Sequence, residues 1–274
     1  MARVSTWWGR TFGTEVPAIG VVHLPALPGS PNARRPIDRI ADQAAADARL
    51  YLEHGLHGVI VENFGDAPFE PGAVPPHVVA SMTRVAVAVR EAAGGRPVGV
   101  NVLRNDARAA LAVAAAAGLD FLRVNVLAGT FATDQGLIQG DAAGLLRERR
   151  AIGAAVRVFA DVRVKHAAPL REAPLDVEVE ELVGRAGADA VLVTGATTGR
   201  PPDRERLGVV ARAAGRAPVV VASGADPRNV AELAADADGF VVGTALKAGG
   251  RTTARPDPAR VERFAEALAR AVRG

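Results

Sequence analysis

The sequence predicts a single α/β domain folded as a closed (β/α)8 TIM barrel, and three observations carry that expectation. Eight apolar runs of strand length recur at roughly even spacing, at 18–23, 58–63, 97–102, 121–126, 157–162, 190–194, 218–223 and 239–243. Ala/Leu/Arg-rich stretches of helical character separate them, so the repeating unit is strand then helix. The chain has 274 residues, close to the roughly 250 such a barrel needs. An open doubly wound sheet uses the same units, but eight even repeats without a second domain favour closure. The barrel is expected over 18–274, behind an N-terminal extension at 1–17.

Helix punctuation supports the alternation, since an apolar run alone does not separate a buried strand from a buried helix. Gly55, Gly118 and Gly187 stand just before the second, fourth and sixth runs, where a helix C-terminus wants a left-handed residue. Asp226-Pro227 and Asp257-Pro258 each read as an N-cap followed by proline at the first helical position. In the last helix Val261, Phe264, Leu268 and Val272 share one face. Trp7, Trp8 and Phe12 near the start either cap the barrel bottom or form a contact patch for a partner or a homo-oligomer.

Composition excludes several classes of function. With no cysteine there are no disulfides, thiolate nucleophiles or zinc ribbons. Thirty-three Lys and Arg face 30 Asp and Glu, spread along the chain, so a net charge of +3 does not make a phosphate-tracking surface. Aromatic content of 4% argues further against base stacking, and no nucleic-acid partner is expected. The longest charge-free apolar stretch, 109–119, falls short of the ~20 residues needed to span a bilayer. Residues 1–13 show no secretory pattern, and the expected location is cytoplasmic.

In this fold the chemistry lies at the C-terminal ends of the strands. The polar residues there are His23, Glu62, Asn63, Asn101, Arg104, Arg123, Asn125, Asp161, Arg163, Lys165, His166 and Thr194. Strand alternation puts Arg123 with Asn125, and Asp161 with Arg163, on common faces. Charges among Val and Ala are costly unless paired, which points to an Arg123, Glu62 and Asp161 network, either as a ligand site or as a core ion cluster. For proton transfer the candidate pairs are Asp161 with His23 or with His166. Lys165 would form a Schiff base only if desolvated. His23, Glu62 and Asp161 could hold a metal, but His23-Leu24-Pro25 lacks the spaced His pair of a zinc hydrolase; no metal and no cofactor is expected.

The seventh and eighth runs end Ser223-Gly224-Ala225 and Gly243-Thr244-Ala245, small residues that let backbone N–H groups approach an anion. They point to a phosphate site, with tight turns as the plainer alternative. Gly195 and the Gly/Thr run to Arg200 would close over the same ligand. Segments 24–36 and 128–141 exceed ordinary βα loops and are candidate lids.

Several long motifs, in order along nearly the whole chain, resemble the BtpA/SgcQ family. They are Ile19-Gly20-Val21-Val22-His23-Leu24-Pro25-Ala26-Leu27-Pro28-Gly29, Val61-Glu62-Asn63-Phe64-Gly65-Asp66, Gly99-Val100-Asn101-Val102-Leu103-Arg104-Asn105, Arg123-Val124-Asn125-Val126, Asp161-Val162-Arg163-Val164-Lys165-His166 and Phe240-Val241-Val242-Gly243-Thr244. The resemblance implies a barrel like the ribulose-phosphate-binding enzymes, and either a role in photosystem I biogenesis or sugar metabolism. Phosphoribosylanthranilate isomerase is a further analogy: Asp161 matches its acid, but His23 stands where its Cys would be. The expectation is acid-base chemistry, isomerisation, lysis or transfer, on a small phosphorylated metabolite. Asp161, His23, His166 and Lys165 would be the catalytic candidates. Glu62, Asn63, Asn101, Arg104, Arg123, Asn125 and Thr194 would bind the substrate, and Gly195, Ser223, Gly224, Gly243 and Thr244 its phosphate.

Overall fold

Each of the eight apolar runs forms a strand in the computed structural model, which describes residues 6–195 and 201–273. In chain order the elements are α1 (Thr6–Phe12), β1 (Ala18–His23), α2 (Ile37–Glu53), β2 (Gly58–Glu62), α3 (Pro76–Ala92), β3 (Val98–Asn101), α4 (Ala107–Ala117) and β4 (Phe121–Val124). There follow β5 (Thr130–Thr133), β6 (Gly136–Gln139), α5 (Ala142–Ala151), β7 (Arg157–Val162), β8 (Ala167–Pro169), α6 (Leu175–Gly184) and β9 (Ala190–Val193). The chain continues with α7 (Arg204–Ala213), β10 (Val219–Val221), α8 (Val230–Leu233), β11 (Gly239–Val242) and α9 (Pro258–Arg273). The barrel closes in the order β1-β11-β10-β9-β7-β4-β3-β2, with every neighbouring pair parallel. Continuous Val/Ala/Leu runs suit these strands because helices cover one face and the barrel interior takes the other.

The interior is filled rather than hollow. Phe121 and Phe159 stack with centroids 4.4 Å apart, among Ile19, Ile60, Leu192, Val220 and Val241. Helix α1 plugs the N-terminal end: Trp8 is fully buried, 4.7 Å from Phe12 and 5.7 Å from Phe159. Its indole N–H reaches the carbonyls of Glu15 and Asp238, which is what a buried Trp requires. Trp7 lies against Phe159 and under the Arg157 guanidinium. Trp8 and Phe12 therefore belong to the core, and Trp7 packs half-buried at its edge. The plugged end leaves the opposite mouth for chemistry.

Gly55, Gly118 and Gly187 take left-handed φ values of 96°, 65° and 70°, as their places after helices require. Asp257 caps α9 through the Arg260 N–H. Three expectations are corrected. Asp226 does not start a helix: α8 begins at Val230, and Asp226 closes a tight turn by accepting from the Arg228 N–H and donating its own N–H to Asn229. Val272 is exposed in the last turn of α9, so only Val261, Phe264 and Leu268 of that face are buried. Segment 128–141 is not an irregular lid but the hairpin β5-β6, extended by β8 into a three-stranded antiparallel sheet. Ile138 and Phe131 pack on Val126 and Val164, fixing the hairpin beside the mouth. Segment 24–36 is also pinned, through a Leu27 N–H to Asp66 bond of 2.7 Å and a fully buried Leu27.

Candidate active site

Strand register assembles the site. His23 pairs in register with Glu62, Glu62 with Asn101, and Asn101 with Arg123, so four polar residues form one row across β1, β2, β3 and β4. Asn101 donates to Glu62 Oε2 at 2.8 Å, and Arg123 Nη1 lies 3.9 Å from the same oxygen. Arg123 grips Asp161 with two bonds, Nε to Oδ2 at 2.9 Å and Nη2 to Oδ1 at 3.0 Å. Asn125 adds a third at 3.0 Å to Oδ2. These side chains are buried, and the bidentate geometry offsets much of the desolvation that burial costs.

The expected pairing of Asp161 with His23 gives way to a different arrangement. Both Asp161 oxygens are committed to Arg123 and Asn125, and the carboxylate near His23 is Glu62, with Nε2 3.8 Å from Oε1. Burial is the main cause that lowers the His23 pKa, to about 4, aided by the Lys247, Lys165 and Arg123 charges against the pull of Glu62. The ring is thus neutral at neutral pH. Its Nδ1 is buried with no hydrogen-bond partner among the described residues. Phe64 meets the ring edge-on at 4.9 Å, and Gly243 lies so close that a Cβ there would stand 2.7 Å from His23 Cε1. Burial pushes the Glu62 carboxyl up, but the interactions with His23, Arg123 and Lys165 and the Asn101 bond outweigh it and hold it below its ordinary value.

Lys165 enters from the segment after β7, where Arg163 and His166 on either side take positive φ values of 47° and 59°. The first of these breaks the strand alternation. Arg163 turns away from Asp161 to pair with Glu178 at 2.8 and 3.0 Å, so the two do not share a face. The Lys165 backbone is held at both ends, its N–H by Thr194 Oγ1 at 3.2 Å and its carbonyl by Arg104 Nη2 at 2.8 Å. Its pKa is lowered, first by burial and then by the Arg123 and Arg104 charges, against Glu62 and Asp161. The same residues explain Thr194 and part of Arg104 as supports for Lys165. His166 is exposed at the rim, its pKa lowered by partial burial and by Lys165 and Arg104.

Asn63 does not join the mouth. Its side chain donates to Asp66 and accepts the Leu103 N–H at 2.7 Å, stapling the ends of β2 and β3. The phosphate candidates do come together: Ser223, Gly224, Gly243 and Thr244 border one cavity of about 200 Å³ with His23, Glu62 and Lys165. Ser223 Oγ accepts the Gly195 N–H at 2.7 Å, which fixes the end of β9 against that of β10. The backbone N–H groups of Gly224, Ala225, Thr244 and Ala245 have no acceptor among the described residues. The helix that follows Gly224 is a single turn, so this corner depends on local amides and hydroxyls rather than on a long helix dipole. Residues 196–200, expected to close over it, lie outside the described residues.

A second cavity of about 460 Å³ lies beside the first, reaching Arg104, Asn125 and His166. Glu62, Phe64, Arg123 and Lys165 line both, so the mouth is one cleft with these four groups at its waist. Sequence reasoning missed Phe64 and Thr252, and reached Asp134 and Gln135 only as part of the candidate lid 128–141. Thr252 bonds Thr244 at 2.8 Å, and Asp134 and Gln135 form the tip of the hairpin against the second cavity. The length of segment 128–141 was the available signal for the hairpin tip. Thr252 carried only the long excursion between the last strand and the last helix. Among the described residues no group of three or more His, Asp or Glu is arranged to hold a metal ion. No described helix is long and apolar enough to cross a membrane.

Comparison with known proteins places this geometry in context. A family model described as the BtpA family matches residues 14–270. The photosystem I biogenesis protein BtpA of Synechocystis is 44% identical over 260 residues, covering 95% of this chain and 90% of that protein. An uncharacterized protein of Pyrococcus abyssi is 42% identical over 92% of this chain and 95% of its own length. Among solved structures, phosphoribosyl anthranilate isomerase from Thermus thermophilus superposes with a TM-score of 0.56 at 15% identity, over 93% of this chain and 99% of that one. At that identity the likeness speaks for the barrel alone.

Proposed function

The chain belongs to the BtpA family, and from that premise we propose that it is an enzyme performing acid-base chemistry, an isomerisation, lysis or related transfer, on a small phosphorylated sugar-like metabolite. The observation that carries this reading is the shared waist of the cleft. Ionisable groups converge on open space between a small-residue corner suited to phosphate and a roomier polar chamber. A phosphate held by Gly224, Ser223, Gly243 and Thr244 would bring the reacting carbons to Glu62, His23 and Lys165. Neutral His23 is then able to accept a proton, and Glu62 to shuttle one. Arg123 stabilises negative charge on substrate oxygens, with Asp161, Asn101 and Asn125 fixing its position and that of Glu62. Arg104 and His166 meet the far end of the ligand.

A noncatalytic biogenesis factor for a membrane complex such as photosystem I is the second reading, favoured by the name of the Synechocystis relative. An interaction surface alone gives no reason for buried charges to converge on a cleft. A thermal-shift screen against phosphosugars, nucleotides and inorganic phosphate separates the two, because selective binding to the native state raises Tm. The enzyme reading expects a rise with phosphosugars that is lost in Thr244→Val and Gly243→Ala. No rise with any phosphorylated compound would favour the second reading.

A further inference from the structure

Of the 33 Lys and Arg side chains only two are lysines, Lys165 and Lys247. Wherever a basic side chain serves as a solvated charge or an ion-pair partner, this chain uses arginine. A lysine offers what arginine does not, a compact nitrogen that can lose its proton. Both lysines sit in depressing surroundings. Lys247 is buried over the Tyr51 ring near the Asp47–Arg255 pair, and its pKa is lowered by burial to about 8. It lines neither half of the cleft, and its backbone anchors the 247–256 excursion through a bridge to Pro256. Lys165 borders both halves of the cleft.

Three features distinguish Lys165 from an anion-binding cation. Arg123 and Arg104 already supply permanent positive charge beside it, so a third fixed charge adds little. Its ammonium forms no hydrogen bond or ion pair with any described residue, whereas Arg123, Arg163 and Arg206 all do bond. Its backbone is clamped by Thr194 and Arg104, and it borders both the phosphate corner and the roomier chamber, where the middle of a bound ligand would lie.

We propose that Lys165 is a covalent catalyst, forming an imine with the carbonyl carbon of a phosphorylated aldehyde or ketone whose phosphate sits in the Gly224/Thr244 corner. The proposal rests on the phosphate reading above and narrows its substrate class to carbonyl compounds. The step balances without a co-reactant. The ammonium gives one proton to Glu62, and the amine nitrogen forms the C–N bond and passes a second proton to the carbonyl oxygen. Glu62 then returns the first proton to that oxygen, the C–O bond breaks, and water leaves a protonated imine. The cation draws electrons from the neighbouring carbon, whose proton or carbon substituent can then depart, with neutral His23 as the near base. Burial and the two arginines favour the free amine that begins the sequence.

The test uses the whole chain and pyridoxal 5′-phosphate, a phosphorylated aldehyde, at pH 7, trapped with borohydride and mapped by peptide mass. With two lysines and the amino terminus as the amines to compare, assignment is direct. The expected result is labelling of Lys165 at least about tenfold faster than of the amino terminus, slowed by inorganic phosphate and absent in Lys165→Arg. Phosphate binding by calorimetry, with Lys165 labelled no faster than the amino terminus, would overturn the covalent role and leave the phosphate reading standing. Fast Lys165 labelling that phosphate does not slow would retain the reactive amine but overturn a carbonyl substrate anchored by phosphate. Neither labelling nor phosphate binding would overturn both.

Discussion

Replacing Asp161 by Asn tests whether this carboxylate holds the site together or moves protons. The side chain is fully buried and accepts two bonds from Arg123 and one from Asn125. Removing its charge leaves a buried guanidinium partly uncompensated, which costs about 3–5 kcal/mol in such pairs. Glu62 at 3.9 Å retains part of the compensation, and the new amide oxygen can still accept a bond, so a loss of about 3 kcal/mol is expected. For a chain of this size about 2 °C accompanies each kcal/mol, giving a fall in Tm of about 6 °C. Urea unfolding of Asp161→Asn, Arg123→Gln and the double variant forms the assay. The double variant should cost less than the two singles together by at least about 1.5 kcal/mol, since removing both charges leaves neither stranded. A stable Asp161→Asn, or strict additivity, would refute the pair as the anchor of the site.

Three further outcomes are expected. Ala at Gly243 presses on His23 Cε1 at 2.7 Å and should shift the ring, lowering turnover by about 100-fold while the fold survives; unchanged turnover would show that the ring position does not matter. His23 has a folded pKa near 4 against 6.5 unfolded, so the unfolded chain takes the proton first as pH falls. Its stabilising contribution is complete above about pH 6.5 and is lost between there and pH 4, amounting to about 3 kcal/mol; denaturant titrations of the parent and His23→Asn should diverge over that window, and parallel curves would contradict the buried neutral ring. Trp8→Ala opens the bottom of the barrel and should cost about 3–5 kcal/mol in urea unfolding; a loss under 1 kcal/mol would mean that α1 is dispensable to the core.

The barrel was legible because parallel strands buried on both faces must be apolar end to end, and their polar last residues then mark the mouth. The row from His23 to Arg123 follows from four such ends meeting in register. What the sequence left open was which side chains meet. Alternation put Asp161 and Arg163 together, but a left-handed residue just past the strand sent Arg163 to Glu178. Asn63 looked like a mouth residue, yet its nearest unmet partner was the Leu103 N–H. The hairpin β5-β6 escaped notice because four-residue strands flanked by glycine carry too little periodicity to stand out from a loop. Pairing carboxylates with cations needs distances, and His23 with Glu62 became visible only with them.

Crystals grown with inorganic phosphate give the most direct test of the cleft as a site for a phosphorylated ligand. Density is expected between the amides of Gly224 and Thr244, within hydrogen-bond reach of both, with the Lys165 ammonium facing the open waist. Phosphate bound only elsewhere, or a corner left to water in crystals where phosphate occupies other sites, would contradict the assignment.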